Sequence, residues 1–299
     1  MSETVIAGRP GPARLLRLLS AVRWDEVLVL QGAPLIGAIL SIGAWTTGHM
    51  FLLAVFATGS CCLVAHVFVL NDWSGIHGDL KDPNRAVRTF PAKGIGRTEF
   101  GFLAIALLAA SLLLFALLGK VALALALAIA GLSALYSAPP FHMKGVPLFN
   151  SLLHFVGGVL HFLLGYATFA AIDARGVAVG CFFALVFTAG HLTHEARDCD
   201  GDSLNVIRTN AVAFGRTRSF FASLVLFTAA YALLVALAAY AAVPRVLMLA
   251  AVLYPVHLLA SLRAMRAGLD FESLSRLLGC YRALHAVIGV TMVAAVLLG

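Results

Sequence analysis

Charge is what this chain has least of. Only 12% of its 299 residues are charged and only 14 are acidic, while 61% are hydrophobic. Mean hydropathy is +0.96. A soluble domain carries about a quarter charged residues, so a water-exposed globule is excluded and an integral membrane protein is expected. Disulfide spacing is absent as well. Cys61, Cys62, Cys181, Cys199 and Cys280 form no framework and read as reduced packing residues. Residues 1–13 have no apolar run, so no cleavable signal peptide is expected there. The net charge of +7 comes from basic residues in short loops between apolar stretches. That placement suits anionic head groups or an anionic substrate and gives no nucleic-acid signal.

What is present is a series of apolar segments. After an amphipathic turn or two at Arg14–Leu19, nine stretches follow, at about 27–46, 50–70, 100–118, 121–138, 149–171, 177–192, 219–242, 246–262 and 278–298. Each approaches the roughly 20 residues that a helix needs to cross a bilayer. Helices are required because an open strand cannot satisfy its backbone in lipid. The expected fold is therefore an all-α integral membrane protein with about nine transmembrane helices in one bundle. Residues 1–26 form a tail and interfacial segment and 27–299 the membrane domain. With nine spans, 17 of the 21 Lys and Arg fall on one side, three on the other, and Arg282 inside the last span. The positive-inside bias places the richer side in the cytoplasm, here of an expected bacterial inner membrane.

Eight of the 14 acidic residues lie in or beside two polar islands, Asn71–Arg97 and His191–Arg218. Both fall on the expected cytoplasmic side. If the spans continue as helices, Asn71, Gly75, Asp79 and Asp82 share one face, with Asp72 at its margin. His191, His194, Glu195, Asp198 and Asp202 share another. Carboxylates crowded on one face repel unless a cation neutralises them. Hard oxygen donors select Mg²⁺, which takes one or two carboxylates and completes its shell with phosphate and water. Arg88, Lys93, Lys144 and Arg208 would supply the positive charge a diphosphate needs. The alternative is that these charges are only solvated and set topology.

The islands also echo each other. Arg88-Thr89 leads to Gly96-Arg97-Thr98, and Arg208-Thr209 leads to Gly215-Arg216-Thr217. Thr98 and Thr217 stand where N-caps of the following spans are expected. Two like-oriented half-bundles would bring both islands to one cavity mouth.

These residues resemble the signatures of the UbiA superfamily of membrane prenyltransferases. Asn71, Asp72 and Asp79 match its Asn-Asp-x-x-Asp-x-x-x-Asp motif, and Asp198 and Asp202 match its Asp-x-x-x-Asp motif. Arg88 matches the basic residue after the first motif. Tyr136-Ser137-Ala138-Pro139-Pro140 and Lys144 match a Tyr-Ser-x-Pro-Pro segment. The middle Asp of the first motif is Gly75 here, and Asp82 is expected to take its place.

The resemblance implies Mg²⁺-dependent transfer of an isoprenyl group from a prenyl diphosphate to a lipophilic, aromatic acceptor. It implies Asp79, Asp82, Asp198 and Asp202 as metal ligands, with Asn71 and Asp72 supporting. Arg88, Lys144 and Arg208 would hold the diphosphate, and Glu195 would act as a base or position the ligands. Three alternatives stay open: a membrane terpene cyclase, phosphoribosyl transfer to a polyprenyl phosphate, and a non-catalytic lipid-binding or transport protein. The remaining intramembrane histidines, His154, His161, His257 and His285, are expected to bond neighbouring helices. His191-x-x-His194-Glu195 has the wrong order for a zinc protease motif.

Overall fold

The computed structural model describes residues 11–298. The first ten residues, expected to be loose, lie outside them. Among the described residues there is no strand, and nine helical segments are long and apolar enough to cross a membrane.

Helix α1 (Gly11–Ser20) is the expected amphipathic segment, with Leu15 and Leu16 exposed and Leu18 packed inward. Helices α2 (Trp24–Leu30) and α3 (Gly32–Ser41) make the first span, interrupted at Gln31. Next come α4 (Thr47–Asp79), the short α5 (Pro83–Ala86), α6 (Arg97–Leu118), α7 (Lys120–Ser137) and α8 (Phe149–Phe169). They are followed by α9 (Ala174–Leu204), the short α10 (Asn210–Phe214) and α11 (Arg216–Ala239). The eighth span starts as a 3₁₀ segment, Arg245–Val252, and becomes regular in α12 (Tyr254–Arg266), where Pro255 occupies a first-turn position that tolerates it. Helix α13 (Phe271–Leu298) ends the bundle.

The apolar runs anticipate all nine spans but not the length of two. Helix α4 has 33 residues and α9 has 31. At 1.5 Å per residue these are about 50 and 46 Å long, well beyond a hydrocarbon core of about 30 Å. Backbone hydrogen bonding does not stop where side chains become polar, so both helices carry their islands out of the membrane as rigid rods.

The echo between the halves is structural. The two most extensive helix pairings are α4 with α6 and α9 with α11. Each is joined by polar groups inside apolar surroundings. Ser111 Oγ donates to Gly59 O at 2.9 Å and the His66 ring lies 2.9 Å from Ala104 O. In the second pair Ser223 Oγ donates to Ala189 O at 2.7 Å. Such bonds hold helices together where no hydrophobic gain separates lipid from protein. The expected caps shift, however. Gly96 and Gly215 are the N-caps of α6 and α11, which puts Thr98 and Thr217 inside the first turn. Glu99 instead accepts from Gly96 N at 3.1 Å.

Close backbone contact sets the middle of the bundle. A methyl group at Gly165 of α8 would fall 1.8 Å from Pro34 O of α3, and one at Gly158 would fall 2.7 Å from Ala184 Cα of α9. Arg282 closes the ring, bonding Glu26 at 2.8 Å and so tying α13 to α2. Two of the intramembrane histidines differ from expectation: His154 and His285 each bond a carbonyl one turn back in their own helix, at 2.8 Å.

Candidate active site

The two islands meet at one end of the bundle. Helix α4 ends at Asp79, and Leu80–Asp82 turn back before α5. Asp82 therefore reaches the site through a turn and not along a continued helical face. Its backbone carbonyl accepts from Arg85 N at 3.0 Å and Ala86 N at 2.9 Å, and Pro83 starts the new helix without needing a donor. The Asp82 side chain is buried against Gly201 of α9. Asn205, at the end of α9, donates from Nδ2 to Gly78 O at 3.2 Å and clasps the ends of α4 and α9 together.

Asn71, Asp79, Asp82, Lys144 and Asp202 line one cleft, and Gly75 lies on its wall. A methyl group at Gly75 would be 3.8 Å from Asp79 Oδ2 and near nothing else, so the position where the motif's acid would stand is open. Lys144 arrives on the loop after α7. Pro139 and Pro140 stop that helix, and His142 and Leu148 bend the loop through positive φ of 47° and 63°. This returns Lys144 Nζ to 3.9 Å from Asp202 Oδ1. Ser74 Oγ also donates to Ser137 O, pinning α7 to α4.

Arg85 is the residue that sequence reasoning passed over. Its Nη1 donates to Asp79 Oδ1 at 3.2 Å, its Nε is 3.5 Å from Asp82 Oδ2, and its Nη2 bonds Asp198 Oδ2. Burial opposes its charge, but Asp198, Asp79 and Asp202 together outweigh it and hold the guanidinium above its ordinary range. The signal was there, an Arg three residues after Asp82, yet nothing in the order of residues shows that α9 lies within its reach. Asn205 and Arg23 carried no signal at all.

The other expected site residues are spread around this cleft. Asp72 faces Arg23, whose Nε donates to Oδ2 at 2.9 Å while Nη2 bonds Oδ1. Asp198 is also bonded by Arg197, at 2.7 Å from Nε. Arg88 and Arg208 are exposed and do not line the cleft. Glu195 is buried one turn deeper. Oε1 accepts from Asn150 Nδ2 at 2.5 Å, and Oε2 accepts from Asn210 Nδ2 at 2.9 Å and Asn210 N at 3.2 Å. Both carboxylate oxygens are thus engaged by α8 and α10. Deeper still, the His154 and His191 rings stack at 3.5 Å, with Tyr136 edge-on to His154 at 5.0 Å.

The donor set suits a hard divalent cation: carboxylates from Asp79, Asp82 and Asp202 with amide oxygens nearby, in reach of Lys144. Among the described residues, no three His, Cys, Asp or Glu side chains are already gathered as a metal group. Two carboxylates with phosphate and water suffice for Mg²⁺, so the residues fit the ion through its phosphate-bound form.

Nine apolar helices with a carboxylate-and-cation cleft at one end define an all-α membrane protein with a polar site. Residues 33–298 match the UbiA prenyltransferase family, and the chain belongs to that family. Among solved structures, it is similar to an apo UbiA homolog from Aeropyrum pernix K1, with TM-score 0.73 and 19% identity over 90% of this chain and 97% of that one. It is also similar to a UbiA homolog from Archaeoglobus fulgidus bound to GPP and Mg²⁺, with TM-score 0.70 and 18% identity over 93% and 99% of the two chains. A structure of digeranylgeranylglyceryl phosphate synthase aligns with TM-score 0.70 at 16% identity, covering 95% of this chain and 99% of that one. No curated protein sequence matches.

Proposed function

We propose that this protein transfers an isoprenyl group from a prenyl diphosphate to a lipophilic, aromatic acceptor within the membrane. The carrying observation is that the cleft collects acids from both islands, Asp79 and Asp82 with Asp202, beside Lys144 and Arg85. The solved relative that binds GPP and Mg²⁺ supports this reading. Asp79, Asp82 and Asp202 would hold Mg²⁺, with Asp198 beside them. The bound ion would supply electrostatic stabilisation of charge growing on the departing diphosphate. Lys144 and Arg85 would bind phosphate oxygens, the guanidinium as a two-pronged donor. Arg88 and Arg208, exposed at the rim, would draw the anion in rather than clamp it. Asn71 would orient the donor's head group, and Asp72 would steady α4 through Arg23. Glu195 would keep α8, α9 and α10 in register beneath the cleft. The lipid tails of donor and acceptor would lie among the apolar helices, which exclude water from the allylic cation. The islands would face the cytoplasm, on the charge count.

The experiment is diphosphate release from labelled geranyl diphosphate by the purified protein, with and without excess chelator and an aromatic acceptor. Release that needs both metal and acceptor is expected. Release with cyclic products and no acceptor would make the protein a cyclase. A labelled polyprenyl phosphate accepting phosphoribose would point to the third reaction. No turnover of either donor, with lipid still bound, would make it a binder.

A further inference from the structure

One guanidinium joins the two islands. Arg85 contacts Asp79 at the end of α4, Asp82 in the following turn and Asp198 on α9. These are three of the four acids placed at or beside the metal. The fourth, Asp202, has Lys144 Nζ at 3.9 Å, and Arg197 shares Asp198. Among the described residues, Arg85, Lys144 and Arg197 thus pair with these four carboxylates. A bare divalent ion would have to take oxygens that Arg85 already holds, and would add positive charge beside the cations already there. A metal–diphosphate complex differs on both counts. It brings negative charge of its own, and it offers Arg85 paired phosphate oxygens that a guanidinium fork matches as it does a carboxylate.

We propose that Arg85 is an internal counter-ion that occupies the carboxylates until a metal–diphosphate complex displaces it, so that metal binding is conditional on the diphosphate. The inference rests on reading the cleft as a prenyl diphosphate site. Arg85 suits the exchange because it sits on α5, one turn of helix between Pro83 and Ala86 and not part of either long rod. Its side chain is still 31% exposed, so its head can shift without unpacking a core.

The test uses the full chain in detergent and Mn²⁺ alone, followed by loss of the free-ion EPR signal. Arg85→Gln should bind Mn²⁺ at least about tenfold more tightly than the native protein, because a charge within contact distance of the ligands is gone. Arg85→Lys should show a smaller gain, since an ammonium keeps the charge but cannot span three carboxylates. Equal or weaker Mn²⁺ binding by Arg85→Gln would overturn the proposal. If that variant does not stay monodisperse, Arg85→Lys decides, and no gain there overturns it too. Thermal unfolding of the native protein with Mg²⁺ and geranyl diphosphate separates the two ideas. No stabilisation by the pair, beside a Mn²⁺ gain in Arg85→Gln, would sink the prenyl diphosphate reading and keep the counter-ion. Stabilisation without that gain would do the reverse.

Discussion

A methyl group placed on Gly201 would fall 2.6 Å from Asp82 Oδ2, so it is the bare backbone of α9 that lets the Asp82 carboxylate settle between the islands. The acid expected to stand in for the one missing at Gly75 is therefore seated against the second island while it pairs with Arg85 of the first.

We predict that Asp82→Asn lowers diphosphate release by about 10²-fold or more, as Asp79→Asn does, because a lost metal contact removes transition-state stabilisation. Gly75→Asp in the Asp82→Asn background should recover part of the rate, since a side chain at 75 enters the same cleft without a clash. A loss under tenfold for Asp82→Asn would show that the residue only shapes the turn before Pro83.

Glu195 should act through position and not as a base. Removing it strands Asn150 and Asn210 donors in a buried site, so Glu195→Ala should cost about 3 kcal/mol of stability. Glu195→Gln keeps an acceptor oxygen and should retain activity within tenfold in the fraction that stays folded. A loss of about 10³-fold in well-folded Glu195→Gln would instead make it a catalytic base.

Gly165→Ala should be among the most damaging conservative changes in the membrane domain. The added methyl would meet the Pro34 carbonyl at 1.8 Å, and neither backbone can yield without separating α3 from α8. The expected loss is about 3 kcal/mol or failure to fold, read by thermal unfolding in detergent. Gly131→Ala, where a methyl meets nothing within 4 Å, serves as the control and should be nearly silent.

Asp173 caps α9 by accepting from Gly176 N at 2.7 Å, and that bond holds its carboxyl below the ordinary range. A group whose folded pKa is depressed stabilises above its unfolded pKa and loses that contribution as pH falls through the folded value. Asp173→Ala should therefore lower the unfolding temperature at neutral pH. The gap to the native protein should narrow once the pH drops below the carboxylate range. A gap that does not change with pH would mean the charge is not what matters.

Much of this protein is legible from residue order because lipid leaves few choices. A backbone in hydrocarbon must bond within itself, so each long apolar run had to be a helix, and the count of nine followed. Residues such as Asp79, Asp202 and Lys144 could be named because carboxylates and lysines are too costly in this setting to be scattered without reason. Even Gly75 could be singled out, as the place where the acid is missing.

What residue order could not show is which groups touch across helices far apart in the chain. Asp72 and Asp79 belong to one motif, yet tertiary packing gives the first to Arg23 and the second to Arg85. Glu195 and Asp198 lie one turn apart on α9, and one is sealed among amides while the other meets two arginines. Periodicity assigns a side chain to a face, and a face is one-dimensional information. Whether that face meets a cation, an amide or a glycine depends on helix crossings set by close contacts such as Gly165 on Pro34. The sequence by itself determined the membrane class, the nine long helices among the described residues and the family motifs. Only the tertiary structure decided that Arg85 joins the two islands, because a long-range ion pair is chosen by packing.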